Sequence, residues 1–241
     1  YGQEDNTSYK GGGWRYGWNG GTDNSAAQWT AMGLLAVQEI LHLDIPPWVK
    51  DRFDLWLQYS HQAGRGFGYM GPSTTTNLTP AGMASLPLCD RIGYDAPATP
   101  EDERDSRWID AEAYIAANWS KSFWWPSPTT GNFSAYAYWG FAKAMRTARP
   151  QAVERLVSTG LDWFKDPVDG MARRVLDRQQ DDGGWIRDGF SSGVGHDLTT
   201  AWNILILTPT LFVQPPVADA GEDTAWALDV PFTLDGSASY H

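Results

Sequence analysis

Cysteine is almost missing from this chain of 241 residues, and Cys89 is its single thiol. An intrachain disulfide is therefore impossible, and a thiolate-rich metal site is excluded with it. Basic residues are scarce as well: 18 Lys and Arg stand against 29 Asp and Glu, a formal net charge of −11. That balance argues against a nucleic-acid partner, because phosphate binding needs clustered Lys and Arg. No apolar run reaches the roughly 18–20 residues needed to span a bilayer. The first residue is Tyr1 rather than Met, from which we expect a processed chain or a fragment.

Aromatic side chains, by contrast, are abundant. There are 14 Trp, ten Tyr and nine Phe, within a composition that is 42% hydrophobic and so able to build a sizeable core. This aromatic load suits either an indole-based packing system or a surface that faces glycans. Four of the seven asparagines, Asn6, Asn77, Asn118 and Asn132, begin N-x-S/T sequons and are glycosylation candidates. The expected setting is extracellular or at a cell surface.

The chain repeats. Glycine–aromatic clusters occur at "KGGGWRYGW" (Trp14), "GRGFGYM" (Phe67), "SFWWPSP" (Trp124) and "DDGGWIRDG" (Trp185). A polar loop follows each, and then an apolar run with helical character. Trp29 and Trp139 fall 15 residues after their anchors, Gly82 takes the matching place in the second copy, and Trp202 lies 17 after Trp185. Inner helices are predicted to start near 24, 79, 132 and 197, with Pro87 bending or shortening the second. Trp29 and Trp202 are expected to be mostly buried. Between these runs lie one-sided helices: "PPWVKDRFDLWLQYSHQ", "TPEDERDSRWIDAEAYIAANW" with Thr99 as N-cap, "RPQAVERLVSTGLDWF", and a short one from Pro167 to Gln180. Helices that are apolar all round, alternating with amphipathic ones, predict a mainly α protein with a buried inner layer and an outer layer.

Two stretches carry a family resemblance. "VLDRQQDDGGW" is similar to the squalene-cyclase QW repeat: two aliphatic residues, Gln179 or Gln180, then Gly183-x-Trp185. "GGGWRYGWNGGTDNSAAQWTAMGLLA" resembles the repeat of prenyltransferase and squalene-oxidase-type proteins. The resemblance covers residues 1–210 and implies an α/α-toroid of about four helical hairpins, partial or open. The structural joints would be Trp14, Trp29, Phe67, Trp124, Trp139, Gln179, Gly183, Trp185 and Trp202. Their glycines permit tight turns while the indoles pack across neighbouring hairpins.

The family's chemistry is not reproduced. Squalene and hopene cyclases use an Asp-x-Asp-Asp acid motif that this chain lacks. Protein prenyltransferases hold zinc through Asp-x-Cys and a histidine; Asp23 fits the aspartate, but Ser25 replaces the thiolate, and Thr200 stands near the histidine's place with His196 close by. No metal or cofactor is therefore expected. Cys89, in "LPLCDR", lacks the thioester motif of complement-like toroids. The candidates left for chemistry are Asp23, His196 and Asp197, the two aspartates being read either as helix caps or as part of a polar site. Trp14, Arg15 and Tyr16, with Asp181 and Asp182, are candidate ligand-binding residues. Arg15 and Tyr16 read either as joint packing or as contacts to a sugar or carboxylate. The pair Asp181–Asp182 reads either as acid–base or metal chemistry or as a solvated turn above a joint.

Residues 211–241 form a linker and then resemble the opening strands of a PKD-type immunoglobulin-like domain, "PVADAG" and "FTLDGSASY". A complete sandwich of that type needs about seven strands, so the β part is expected to be incomplete. The function expected from all this is a non-catalytic extracellular scaffold, surface or assembly module. It would self-associate or meet other surface proteins through 214–241, with a glycan as a further partner. The alternative is a secreted polysaccharide lyase or glycoside hydrolase; a terpene cyclase or prenyltransferase-like enzyme comes third. Two acids across a cleft at roughly 5–10 Å would favour the enzyme. A filled centre with a large apolar contact surface would favour the scaffold.

Overall fold

The computed structural model describes residues 2–5, 10–93, 104–119, 134–185 and 195–208. Tyr1–Thr208 form one compact unit and Pro209–His241 a second. The whole of the second unit, with the predicted strands in 214–241, lies outside the described residues, as do Trp124, Asn6 and Asn132. The protein is mainly α. Among the described residues seven helices run α1 (Asn24–Leu41), α2 (Pro47–Ser60), α3 (Thr79–Ser85), α4 (Ser106–Asn118), α5 (Ala135–Thr147), α6 (Met171–Leu176) and α7 (His196–Leu207). Among the described residues, β pairing is limited to isolated bridges.

The odd-numbered helices are the four runs predicted as inner, starting at 24, 79, 135 and 196. Of these, α3 and most of α5 are covered all round, but α1 and α7 bury one face only, with Leu198 and Ile204 of α7 exposed. The four pack on one another in sequence order, α1 on α3, α3 on α5 and α5 on α7. Every residue from Ala135 to Met145 is buried, as is all of α3. Gly140 is where α5 comes close to its neighbours. A Cβ added there would lie 3.3 Å from Pro80 of α3 and 3.6 Å from the Gln28 Oε1 of α1. Pro87 acts as its chemistry requires: α3 ends at Ser85 and a 3-10 turn, Leu86–Cys89, takes over. The outer helices are one-sided. In α2, Pro47 occupies the first turn and Val49, Phe53, Trp56 and Leu57 are buried. In α4 the buried stripe includes Trp108, Ala111 and Ile115.

Two of the joints, at Phe67 and Trp185, share one geometry. Gln62 N donates to the Gly66 carbonyl just before Phe67, and Gln180 N donates to the Gly184 carbonyl just before Trp185, both at 2.8 Å. Isolated bridges His61↔Phe67 and Gln179↔Trp185 close these loops. Gly183 has φ +85°, a left-handed conformation that glycine adopts without steric cost, and Gln179 Nε2 donates to its carbonyl. Phe67, fully buried, lies against Gly82 so tightly that a Cβ at Gly82 would sit 2.1 Å from the ring. Trp14 meets Phe53 edge-on at 5.0 Å.

Several expectations need correction. Residues 149–164 form no helix: Arg155 bridges Asp162, Gly160 has φ +70°, and Trp163 Nε1 donates to the Val153 carbonyl at 2.6 Å. The pair Trp185 Nε1 and Val175 carbonyl, at 2.7 Å, shows the same ten-residue span, so this segment is another joint. Val157, placed on the apolar face of the expected helix, is 54% exposed. The run Pro167–Gln180 shortens to α6 because the Asp166 carboxylate accepts Val168 N and Asp169 N in a turn that occupies 167–169. The cap of α4 is Asp105, whose carboxylate accepts Arg107 N; Thr99, the predicted cap, lies outside the described residues. Trp29 is 41% exposed, because what it meets is the Trp139 ring, stacked on it at 4.4 Å, rather than an enclosing core. Trp202 is buried as expected. Asn77, at the entry to buried α3, is itself buried, so a glycan there is incompatible with this packing.

Candidate functional site

The first two joints converge on the start of α1. Asp23, fully buried, caps the helix by accepting from Ala26 N at 2.8 Å. Its other oxygen meets Arg15 Nε at 3.2 Å and the Tyr69 hydroxyl at 3.4 Å. Asp23 N donates to the Trp14 carbonyl and Asn24 N to the Tyr69 carbonyl, which ties both joints to the helix backbone. Burial and the neighbouring Asp23 carboxylate push the Tyr69 phenol up from its ordinary value.

One turn further in, α1, α5 and α7 share a polar and aromatic cluster. Gln28 donates from its amide nitrogen to the Tyr136 hydroxyl and accepts from Lys143 Nζ at 3.2 Å. The Lys143 ammonium position lies 3.4 Å from the centre of the Trp139 ring and 4.4 Å from that of Trp29. Burial holds this amine well below its ordinary value. Tyr136 meets Trp202 edge-on at 5.7 Å. Asp23 thus already has three partners around its two oxygens, which suits a cap and anchor rather than a free base. Asp23→Ala is expected to destabilise by about 2 kcal/mol, roughly half from the lost cap and the rest from unpaired Arg15 and Tyr69. Asp23→Asn should recover part of this loss. Urea unfolding at unchanged m checks both.

The other predicted residues do not join this cluster. The N-cap of α7 is Gly195, so Asp197 stands in the first helical turn without a capping bond. Its side chain is fully solvated, and His196 Nδ1 is 3.8 Å from its carboxylate, too far for a hydrogen bond. Among the described residues no hydrogen bond or ion pair links Asp23 with His196 or Asp197. Asp181 and Asp182 are exposed on the turn of the fourth joint, where Asp182 accepts Gly184 N at 2.9 Å. Thr200 accepts Trp185 N at 3.1 Å and so belongs to that joint. Among the described residues, no three His, Cys, Asp or Glu side chains group as a metal site would require. No protein family, no curated protein and no solved structure matches this chain.

A second polar constellation escaped the sequence reading. Arg107, nearly buried, donates to Asp54 at 2.8 Å and to Asp105 at 2.5 Å, while Arg91 grips Asp54 with both Nε and Nη2, at 3.1 and 2.6 Å. Burial pulls the Arg107 pKa down, but the two carboxylates outweigh it and raise the value overall. Burial likewise opposes ionisation of Asp105, and the Arg107 guanidinium overcomes it, leaving the carboxyl below its ordinary range. The network borders a cavity of about 610 Å³ that His61 and Gln58 also line. Its partners are 37 and 53 residues apart, so no local spacing could reveal them. Cys89 lies beside it, buried, with its thiol pushed well above the ordinary value by desolvation. Such a thiol is inert at neutral pH.

Proposed function

We propose that this chain is a non-catalytic extracellular scaffold, an assembly or surface module built on an α/α-toroid of the squalene-cyclase type. The observation that supports it best is the use of the space between α1 and α5. Trp29, Trp139, Lys143, Gln28 and Tyr136 occupy it with one another. Asp23, where the enzymes this repeat resembles place a metal ligand, is consumed by the helix cap and by Arg15. Alternation of inner and outer helices, with each inner helix packed on the next, supports the toroid arrangement.

A glycan-cleaving enzyme is the competing reading and requires two carboxylates facing each other across a cleft. Of the acids near the joints, Asp23 is buried, while Asp181 and Asp182 on a turn and Asp197 at the start of α7 project into solvent. Light scattering on the full chain, alongside product analysis after incubation with neutral and acidic polysaccharides, separates the two. The scaffold reading expects concentration-dependent oligomers, fewer of them when 214–241 is deleted, and no shortened or unsaturated product. Monomers at every concentration, or turnover of any polysaccharide, would overturn it.

A further inference from the structure

The loop of the first joint, residues 15–21, reads Arg-Tyr-Gly-Trp-Asn-Gly-Gly and is held more firmly than a surface connection requires. Asp5 N donates to Asn19 Oδ1 at 3.0 Å, and Asn19 Nδ2 donates back to Asp5 Oδ1 at 2.9 Å. Glu4 Oε2 accepts Gly21 N at 2.7 Å. Asn19 itself is held at φ 47°, a left-handed conformation uncommon outside glycine. At its start, Arg15 is fixed on Asp23.

This ordered loop nevertheless turns its rings outward. Tyr16 is 82% exposed and Trp18 71%. Tyr69, which touches the same Asp23 carboxylate as Arg15, is also exposed, as is Trp29 on α1. Four of the five exposed aromatic side chains among the described residues thus belong to the first two joints and the helix they support. Core packing accounts for none of that exposure.

We propose that the 15–21 loop, with Tyr69, binds a neutral saccharide. A pyranose ring offers an apolar C–H face and a rim of hydroxyls. The C–H face suits the flat faces of Tyr16 and Trp18, and a loop whose backbone is already held loses little conformational freedom on binding. The hydroxyl rim suits the Arg15 guanidinium, which is one-third exposed, and the Tyr16 and Tyr69 phenols, which both donate and accept. Charge selects against acidic glycans: the chain carries −11, and Asp23 offsets Arg15. Composition selects against a protein occupant, which needs a water-excluded apolar core. The loop contains no aliphatic residue; Met70, next to Tyr69 in sequence, is an exposed aliphatic side chain, and the run Ile40, Leu41 and Leu43 lies at the far end of α1. The inference rests on the non-catalytic reading in one respect: the saccharide is held and not cleaved.

Calorimetric titration of the full chain tests this, with cellohexaose, xylohexaose, mannohexaose and chitohexaose as neutral probes and hexagalacturonate as the acidic one. At least one neutral probe is expected to saturate the protein and to change its tryptophan fluorescence, with hexagalacturonate inert. Trp18→Ala and Tyr16→Ala should each weaken that binding at least tenfold. Circular dichroism should show both variants folded; Trp48→Ala, an exposed indole on α2, should leave binding unchanged. Failure of every neutral probe to bind, or binding that survives the Tyr16→Ala/Trp18→Ala double variant, overturns the proposal. Shortened oligosaccharides recovered from a mixture that still binds would overturn the non-catalytic reading and leave the site standing.

Discussion

Arg107→Ala is expected to destabilise the protein by about 3 kcal/mol, because it leaves Asp54 and Asp105 as buried or half-buried carboxylates short of a counter-charge. Asp54 keeps Arg91, which places the loss at the lower end for a broken buried pair. For a chain of this length that corresponds to a fall of roughly 6–12 °C in thermal midpoint. Arg91→Ala should cost about 1 kcal/mol or less, since its guanidinium is 45% exposed and solvent screens the pair. Equal costs for the two arginines would mean that burial does not govern the network. The same residues set the response to acid. Asp105 has its pKa below the ordinary 3.8, so its contribution is present above that pH and is lost as pH falls through the folded value. His61 is depressed from 6.5, chiefly by burial, with Asp110 opposing and Arg107 reinforcing the shift. Below pH 6.5 the unfolded chain takes up a proton that folded His61 resists, so stability should begin to fall there. Calorimetric midpoints from pH 8 to 3 should therefore decline in two stages, and Arg107→Ala should blunt the second.

Phe67→Ala should cost about 4 kcal/mol, the expected loss for an aromatic ring deleted from a closed site. The ring is fully buried, lies 5.2 Å from the His61 imidazole, and occupies the space that a Cβ at Gly82 would need. Gly82→Ala alone should cost about 1–3 kcal/mol by overpacking. In the double variant the new methyl enters the cavity left by the ring, so the combined loss should be smaller than the sum. Denaturant midpoints of the four proteins form the cycle, and strict additivity would show that the joint and α3 are not in direct contact.

Part of this was legible from residue order alone. Starts of α1, α3, α5 and α7 followed from glycine–aromatic anchors with apolar runs at nearly constant distance, because a turn needing glycine and an apolar helix both leave local marks. That α1 and α7 bury only one face did not. Pro87 announced the end of α3 for the same reason, since the ring removes a backbone donor wherever it falls. Asp23 was readable as a cap, while Asp197, also placed just before an apolar run, was not one: the cap of α7 falls two residues earlier, at Gly195. The segment 149–164 misled because Val153, Leu156 and Leu161 have helical spacing, although Gly160 and Trp163 carry the signature of a joint. Periodicity records which residues are apolar and not whether the backbone between them turns. Exposure of Trp29, the closing of the space around Lys143, and the Asp54–Arg107–Asp105 network belong to tertiary structure. Each depends on residues dozens of positions apart meeting in one place, and local spacing carries no information about such distances.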